Sequence, residues 1–75
     1  MVITRLRNIA LTVEETQPGV YSWFLVESTD HPTTYYELFG SLQGFDTWEA
    51  ALDAGVEAFK QLARNRLIGP RTTTD

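Results

Sequence analysis

Residues 47–67 read TWEAALDAGVEAFKQLARNRL. Apolar or small residues recur at Trp48, Ala51, Leu52, Gly55, Val56, Phe59, Leu62 and Ala63, the three- and four-residue spacing of a helix with one buried face. Glu49, Asp53, Glu57, Lys60, Gln61 and Arg64 fall on the other side. Acids occupy the first half and bases the last, as the helix dipole favours. Asp46 can cap the start, with Glu49 three positions on completing a capping box; Thr47 is the alternative cap. Gly69 and Pro70 follow the last periodic residue as a stop. The pattern predicts one long amphipathic helix from Thr47 to Leu67 that buries a stripe of Trp48, Leu52, Val56, Phe59 and Leu62. Gly55 on the apolar side costs about 1 kcal/mol relative to Ala in a helix. Close approach of the helix to a sheet, beneath a ring such as Trp23 or Tyr36, would compensate.

The chain before the helix reads as strands. Ile9, Leu11 and Val13 alternate with Ala10, Thr12 and Glu14, the period of a strand with one buried face. Gln17-Pro18-Gly19 is a turn. Val20 to Ser28 is rich in β-branched and aromatic residues and forms a second strand. Thr29-Asp30-His31-Pro32 is a second turn, and Thr34 to Leu42 a third strand. Such short connections favour antiparallel hairpins, since a parallel pair needs a crossover of a dozen or more residues. The fold expected is therefore α+β: a β-β-β-α domain over residues 1–70, with a three-stranded antiparallel sheet and one C-terminal helix packed on one face. Val2, Thr4 and Leu6 do not keep the parity of Ile9, Leu11 and Val13, so the arm either contains a bulge or is a separate segment. Residues 71–75, RTTTD, offer nothing to bury and are expected to form a disordered tail.

Bulk composition narrows the function classes. With 75 residues the chain is expected to be one domain, and one that buries only about 60% of its unfolded surface. No Cys and one His exclude disulfides, thiolate metal sites and multi-His zinc sites, which leaves oligomerisation as the support for a small core. The residues are 43% hydrophobic and 12% aromatic, too apolar for an intrinsically disordered chain. A net charge of −4 works against binding to phosphate backbones, so nucleic acid is not an expected partner. No apolar run reaches the ~20 residues of a membrane span. The start lacks the apolar core of a signal peptide, and a cytoplasmic location is the expectation.

The sheet pattern leaves one apolar face unexplained. If Trp23 lies opposite Leu38, then Leu25 lies opposite Tyr36, and these share with Ile9, Leu11 and Val13 the face that meets the helix. The other face then carries Phe24, Val26, Tyr35, Glu37 and Phe39. One helix cannot cover both faces. Either the N-terminal arm or the tail crosses this second face, or it stays partly exposed, or it is an interaction site, foremost for a second copy of the chain.

Residues that could carry chemistry are isolated. His31 sits in a turn with only carboxylates for partners. Glu14 and Glu15 are adjacent in a strand and point to opposite faces. Glu37 suits a cross-strand polar contact or an interface salt bridge. Ser22, Ser28 and Ser41 have no base in a recognisable arrangement, and Gly40 and Gly44 belong to no phosphate-cradling pattern. The expectation is a non-catalytic interaction module without a cofactor, forming a homodimer or binding a protein partner through the second sheet face or an edge strand.

Three strands followed by a helix, joined by Phe45-Asp46-Thr47-Trp48-Glu49 and then Ala51 and Ala54, resemble the end of the ethylene-response-factor type of DNA-binding domain, a layout that the arm-binding domains of phage integrases share; the similarity covers roughly Tyr36 to Ala58. Many small bacterial proteins are also similar to this strand–strand–strand–helix unit. The resemblance implies a sheet that enters the major groove with the helix behind it. The outer sheet face of those families carries several Arg and Trp residues. Here Val20 to Leu42 contains no Lys or Arg, and instead holds Glu27, Asp30 and Glu37, so nucleic-acid binding by the sheet is the alternative reading.

Overall fold

A computed structural model of the chain describes residues 3–28 and 34–74. The turn expected at Thr29 to Pro32, with His31, lies outside the described residues. The elements are β1 (Ile3–Leu6), β2 (Ile9–Gln17), β3 (Val20–Ser28), β4 (Tyr35–Gly40), α1 (Trp48–Gln61) and β5 (Arg71–Thr74). They form an α+β fold with two separate sheets, an antiparallel sheet ordered β2-β3-β4 and an antiparallel ribbon of β1 and β5.

β2 and β3 form the hairpin expected from Gln17-Pro18-Gly19. Gly19 holds a φ of +76°, which few other residues adopt. Leu11 pairs with Leu25 and Val13 with Trp23. Between β3 and β4 the register differs from expectation. Leu25 lies opposite Phe39 and Glu27 opposite Tyr36, with an irregularity that leaves Leu38 as an extra residue. Beyond β4 the chain keeps running along β3. Ser41 N–H donates to the Trp23 carbonyl at 2.9 Å, and Tyr21 and Phe45 exchange backbone hydrogen bonds at 2.9 and 2.7 Å.

The helix starts at the alternative of the two expected caps and is shorter than expected at its C-terminal end. Thr47, in an extended conformation, is the N-cap, and its hydroxyl accepts from Ala50 N–H at 3.1 Å. Ala50 therefore occupies the position where a capping box from Asp46 would have needed Glu49. The helix stops at Gln61, with Leu62 as C-cap, and not at Leu67. Asn65 diverts the following backbone: its side-chain oxygen accepts from Leu67 N–H at 2.9 Å, and its carbonyl accepts from Ile68 and Gly69. Such local side-chain bonds compete with helix propagation.

α1 lies against β2 and β3. Its buried positions are Ala51 and Gly55, whereas Trp48 is 55% exposed and Val56 36% exposed. The stripe predicted from the large residues is thus rotated: small residues face the sheet and allow close approach. A Cβ on Gly55 would lie 2.6 Å from Leu11 Cδ1 and 2.9 Å from Trp23 Cβ, so Trp23 is one of the side chains that Gly55 accommodates. The core centres on Leu25, 1% exposed, and Ala51, fully buried.

Of the two terminal segments, the arm takes one of the two readings left open and the tail departs from expectation. The arm is a separate strand, β1. The segment expected as a disordered tail supplies β5 through Thr74, with Thr4 paired to Thr73 and Leu6 to Arg71. Among the described residues the ribbon touches neither β2-β3-β4 nor α1, which gives the molecule an elongated outline of 49 × 26 × 16 Å.

Candidate functional site

The extra residue at Leu38 redistributes the five residues expected to share the second sheet face. A bulge advances the alternation of a strand by one. Glu37 lies opposite Val26 and Tyr35 opposite Ser28, so Phe24, Val26, Tyr35 and Glu37 do share that face. Phe39, opposite Leu25, belongs to the helix side instead. Phe24 faces Gly40 across the strands, and its Cδ1 would lie 2.8 Å from a Cβ there. The ring therefore rests over the glycine and is half-buried, as is Val26. Neither β1 nor β5 crosses this face.

The larger apolar opening is on the helix side. Because α1 rests on β2 and β3, the inner face of β4 lacks a cover. A groove of about 750 Å³ lies there, lined by Trp23, Leu25, Phe39, Leu42, Phe45 and Leu62 among others. Phe39 is 54% exposed and Leu42 fully exposed. The groove runs beside the free edge of β4, which pairs only with β3 among the described residues. Natural edges are protected by charges, Pro, bulges or shortness; β4 carries Glu37 and the bulge at Leu38, and residues 34–44 contain no Lys or Pro. Sequence reasoning missed Leu42 and placed Phe39 on the wrong face. Gly40 near a strand end was the available signal, since glycine in a strand often accompanies a bulge.

One polar cluster braces this side of the sheet. Arg7 donates from Nε to Glu27 Oε2 at 3.1 Å and from Nη2 to Oε1 at 2.8 Å, and the Tyr36 hydroxyl donates to Oε1 at 3.3 Å. The hydrogen bonds from Arg7 hold the Glu27 carboxyl below the usual carboxylate range, against the opposing effect of burial. The same pairing raises the Arg7 guanidinium. Asn8 Nδ2 donates to Ser28 Oγ at 2.7 Å beside it. All the partners are internal, so the cluster acts as a joint. Among the described residues no three His, Cys, Asp or Glu side chains gather where a metal could be held, and no described helix is long and apolar enough to cross a membrane.

No protein-family model matches the chain, and neither a curated protein nor a solved structure matches it.

Proposed function

We propose that the protein is a non-catalytic interaction module that self-associates, a second copy pairing along the β4 edge and covering the groove beside it. The observation that carries this reading is the exposure of Phe39 and Leu42 over an apolar groove next to the outer edge of β4, which has no strand partner among the described residues. A two-fold antiparallel pairing of β4 with its copy would extend the sheet to six strands. It would also set the two helices on one side with the two grooves facing each other across the axis. Within each copy the helix serves as a lid over the Leu11, Trp23 and Leu25 side only. The small core gives the pairing a thermodynamic role, because a chain of this size gains stability from a partner.

The choice of the groove over the Phe24 face rests on the placement of the rings. Phe24 is occupied by Gly40, whereas Phe39 and Leu42 have no cover. Nucleic-acid binding by the sheet gains no support from charge, since β3 and β4 carry no Lys or Arg.

Light scattering after size exclusion tests the proposal. The wild-type chain is expected as a dimer that resists high salt, because the contact is apolar. Leu42→Glu is expected to yield a folded monomer. A wild-type chain that remains monomeric at millimolar concentration overturns the reading.

A further inference from the structure

All six cations of the chain fall in two segments: Arg5 and Arg7 near the start, and Lys60, Arg64, Arg66 and Arg71 near the end. The fold brings these segments together at the ribbon. Arg7 is engaged by Glu27, and Arg66 reaches Glu57 at 3.9 Å. Among the described residues neither Arg64 nor Arg71 forms an ion pair. Both line a cavity of about 500 Å³ between the ribbon and the segment after α1, together with Thr4, Leu62, Asn65 and Ile68, and among the described residues no acidic side chain lines it.

The donors of this cavity are partly fixed. Arg71 Nε donates to the Ile68 carbonyl at 3.0 Å, which anchors the guanidinium and leaves its Nη groups. The Asn65 side-chain oxygen is taken by Leu67 N–H at 2.9 Å, which leaves the amide NH₂ as donor. The pairing Thr4↔Thr73 and Leu6↔Arg71 sets Thr4 and Arg71 on one ribbon face, and Arg5, opposite Thr72, on the other. The helix end contributes partial negative charge near the cavity; the Phe59 and Lys60 carbonyls accept from Leu62 and Ala63, and the attraction for an anion comes from the two arginines.

Two cationic side chains lining one cavity disfavour each other, and an oxyanion bound there offsets that cost. We infer that this cavity binds a phosphate group, free or in ester linkage. Arg64 and Arg71 match the charge of a phosphate dianion, and with Thr4 and Asn65 they supply donors to its several oxygens. A carboxylate would leave part of that donor set unused. The acidic net charge does not decide the matter, because Arg7 and Arg66 are the arginines that meet acids, Glu27 and Glu57, while Arg64 and Arg71 form no ion pair among the described residues.

The test uses the full chain and two probes, inorganic phosphate and a short single-stranded oligonucleotide, each titrated at low salt and followed by amide NMR shifts. Saturable shifts are expected at Thr4, Asn65 and Arg71. Arg64→Ala and Arg71→Ala should each weaken binding about tenfold or more. Arg5→Ala, on the other ribbon face, should change it less than about threefold. If Arg71→Ala disturbs β5, Arg64→Ala carries the comparison from outside the ribbon, and Arg64→Lys should bind between wild type and Ala because it keeps the charge and loses the fork. Binding of the oligonucleotide with the same two losses assigns a phosphodiester source; binding of inorganic phosphate alone assigns a free phosphate or monoester. The inference is overturned if neither probe gives saturable shifts. It is also overturned if Arg5→Ala costs as much as Arg64→Ala, or if dilution shifts Glu14 and Glu15 together with Arg64, which would place the acidic end of β2 of a second copy in the cavity.

Discussion

Arg7 and Glu27 meet through two parallel hydrogen bonds, at 3.1 and 2.8 Å, where the chain passes from the terminal ribbon into the main sheet. Arg7 N–H also donates to the Pro70 carbonyl at 2.9 Å. One residue thus holds the ribbon by its backbone and the sheet by its side chain. The forked geometry matters because a monodentate surface pair would contribute little.

This pair makes stability depend on pH in a defined direction. Glu27 is shifted below its unfolded value by the hydrogen bonds from Arg7. Its contribution is therefore full above the unfolded carboxylate pKa and is lost as pH falls through the folded value. Glu27→Gln is expected to cost about 1–2 kcal/mol at neutral pH. Urea midpoints at pH 7 and at pH 3 check this: the gap between wild type and variant should narrow at the lower pH.

Gly55 should resist substitution. Ala at this position gains about 1 kcal/mol of helix propensity, but its Cβ would press on Leu11 and on Trp23 Cβ, at 2.6 and 2.9 Å. Trp23 Cβ is fixed to the backbone of β3 and cannot swing away. Gly55→Ala is expected to destabilise by about 1–3 kcal/mol, the usual cost of overpacking, and Gly55→Leu by more. Thermal unfolding followed by circular dichroism reads both.

The helix cap can be assigned by two substitutions. Thr47→Ala removes the hydroxyl that accepts from Ala50 N–H and is expected to cost about 1 kcal/mol. Asp46→Ala, just before the cap, should change stability by less than about 0.5 kcal/mol. The opposite ranking in denaturant unfolding would return the cap to Asp46.

The two sheet faces are separable by charge insertion. Phe39→Lys places a cation over the apolar groove and should abolish self-association. Tyr35→Lys, on the opposite face and 49% exposed in the wild type, should leave it intact. Sedimentation of both variants provides the reading, and loss of the dimer only in Tyr35→Lys would move the interface to the Phe24 face.

Local features were legible in the sequence. The β2–β3 hairpin follows from alternation around Pro18 and Gly19, and the helix from its three- and four-residue spacing, because both depend on neighbours in the chain. Features set by distant partners were not. The bulge at Leu38 is decided where β4 meets β3, and it carried Phe39 to the other face. β5 pairs with residues at the far end of the chain, so reading 71–75 alone suggested a tail; the β-branched Thr72, Thr73 and Thr74 were its only local sign. The buried side of the helix was misjudged for another reason. Weighting by residue size favours Trp48 and Val56, whereas close approach favours Ala51 and Gly55.

The terminal ribbon has a consequence in time. It joins Ile3 to Thr74, the largest loop closure in the molecule, and a two-stranded ribbon alone has little stability to repay that entropy. Hairpin and helix contacts close much shorter loops and should form first. The ribbon is then the last part to assemble and the first to open, and its amides should exchange with solvent well before those of Trp23 and Leu25. A phosphate group seated between Arg64 and Arg71 would slow that opening, so the rate at which the two chain ends part would report on occupancy of the cavity.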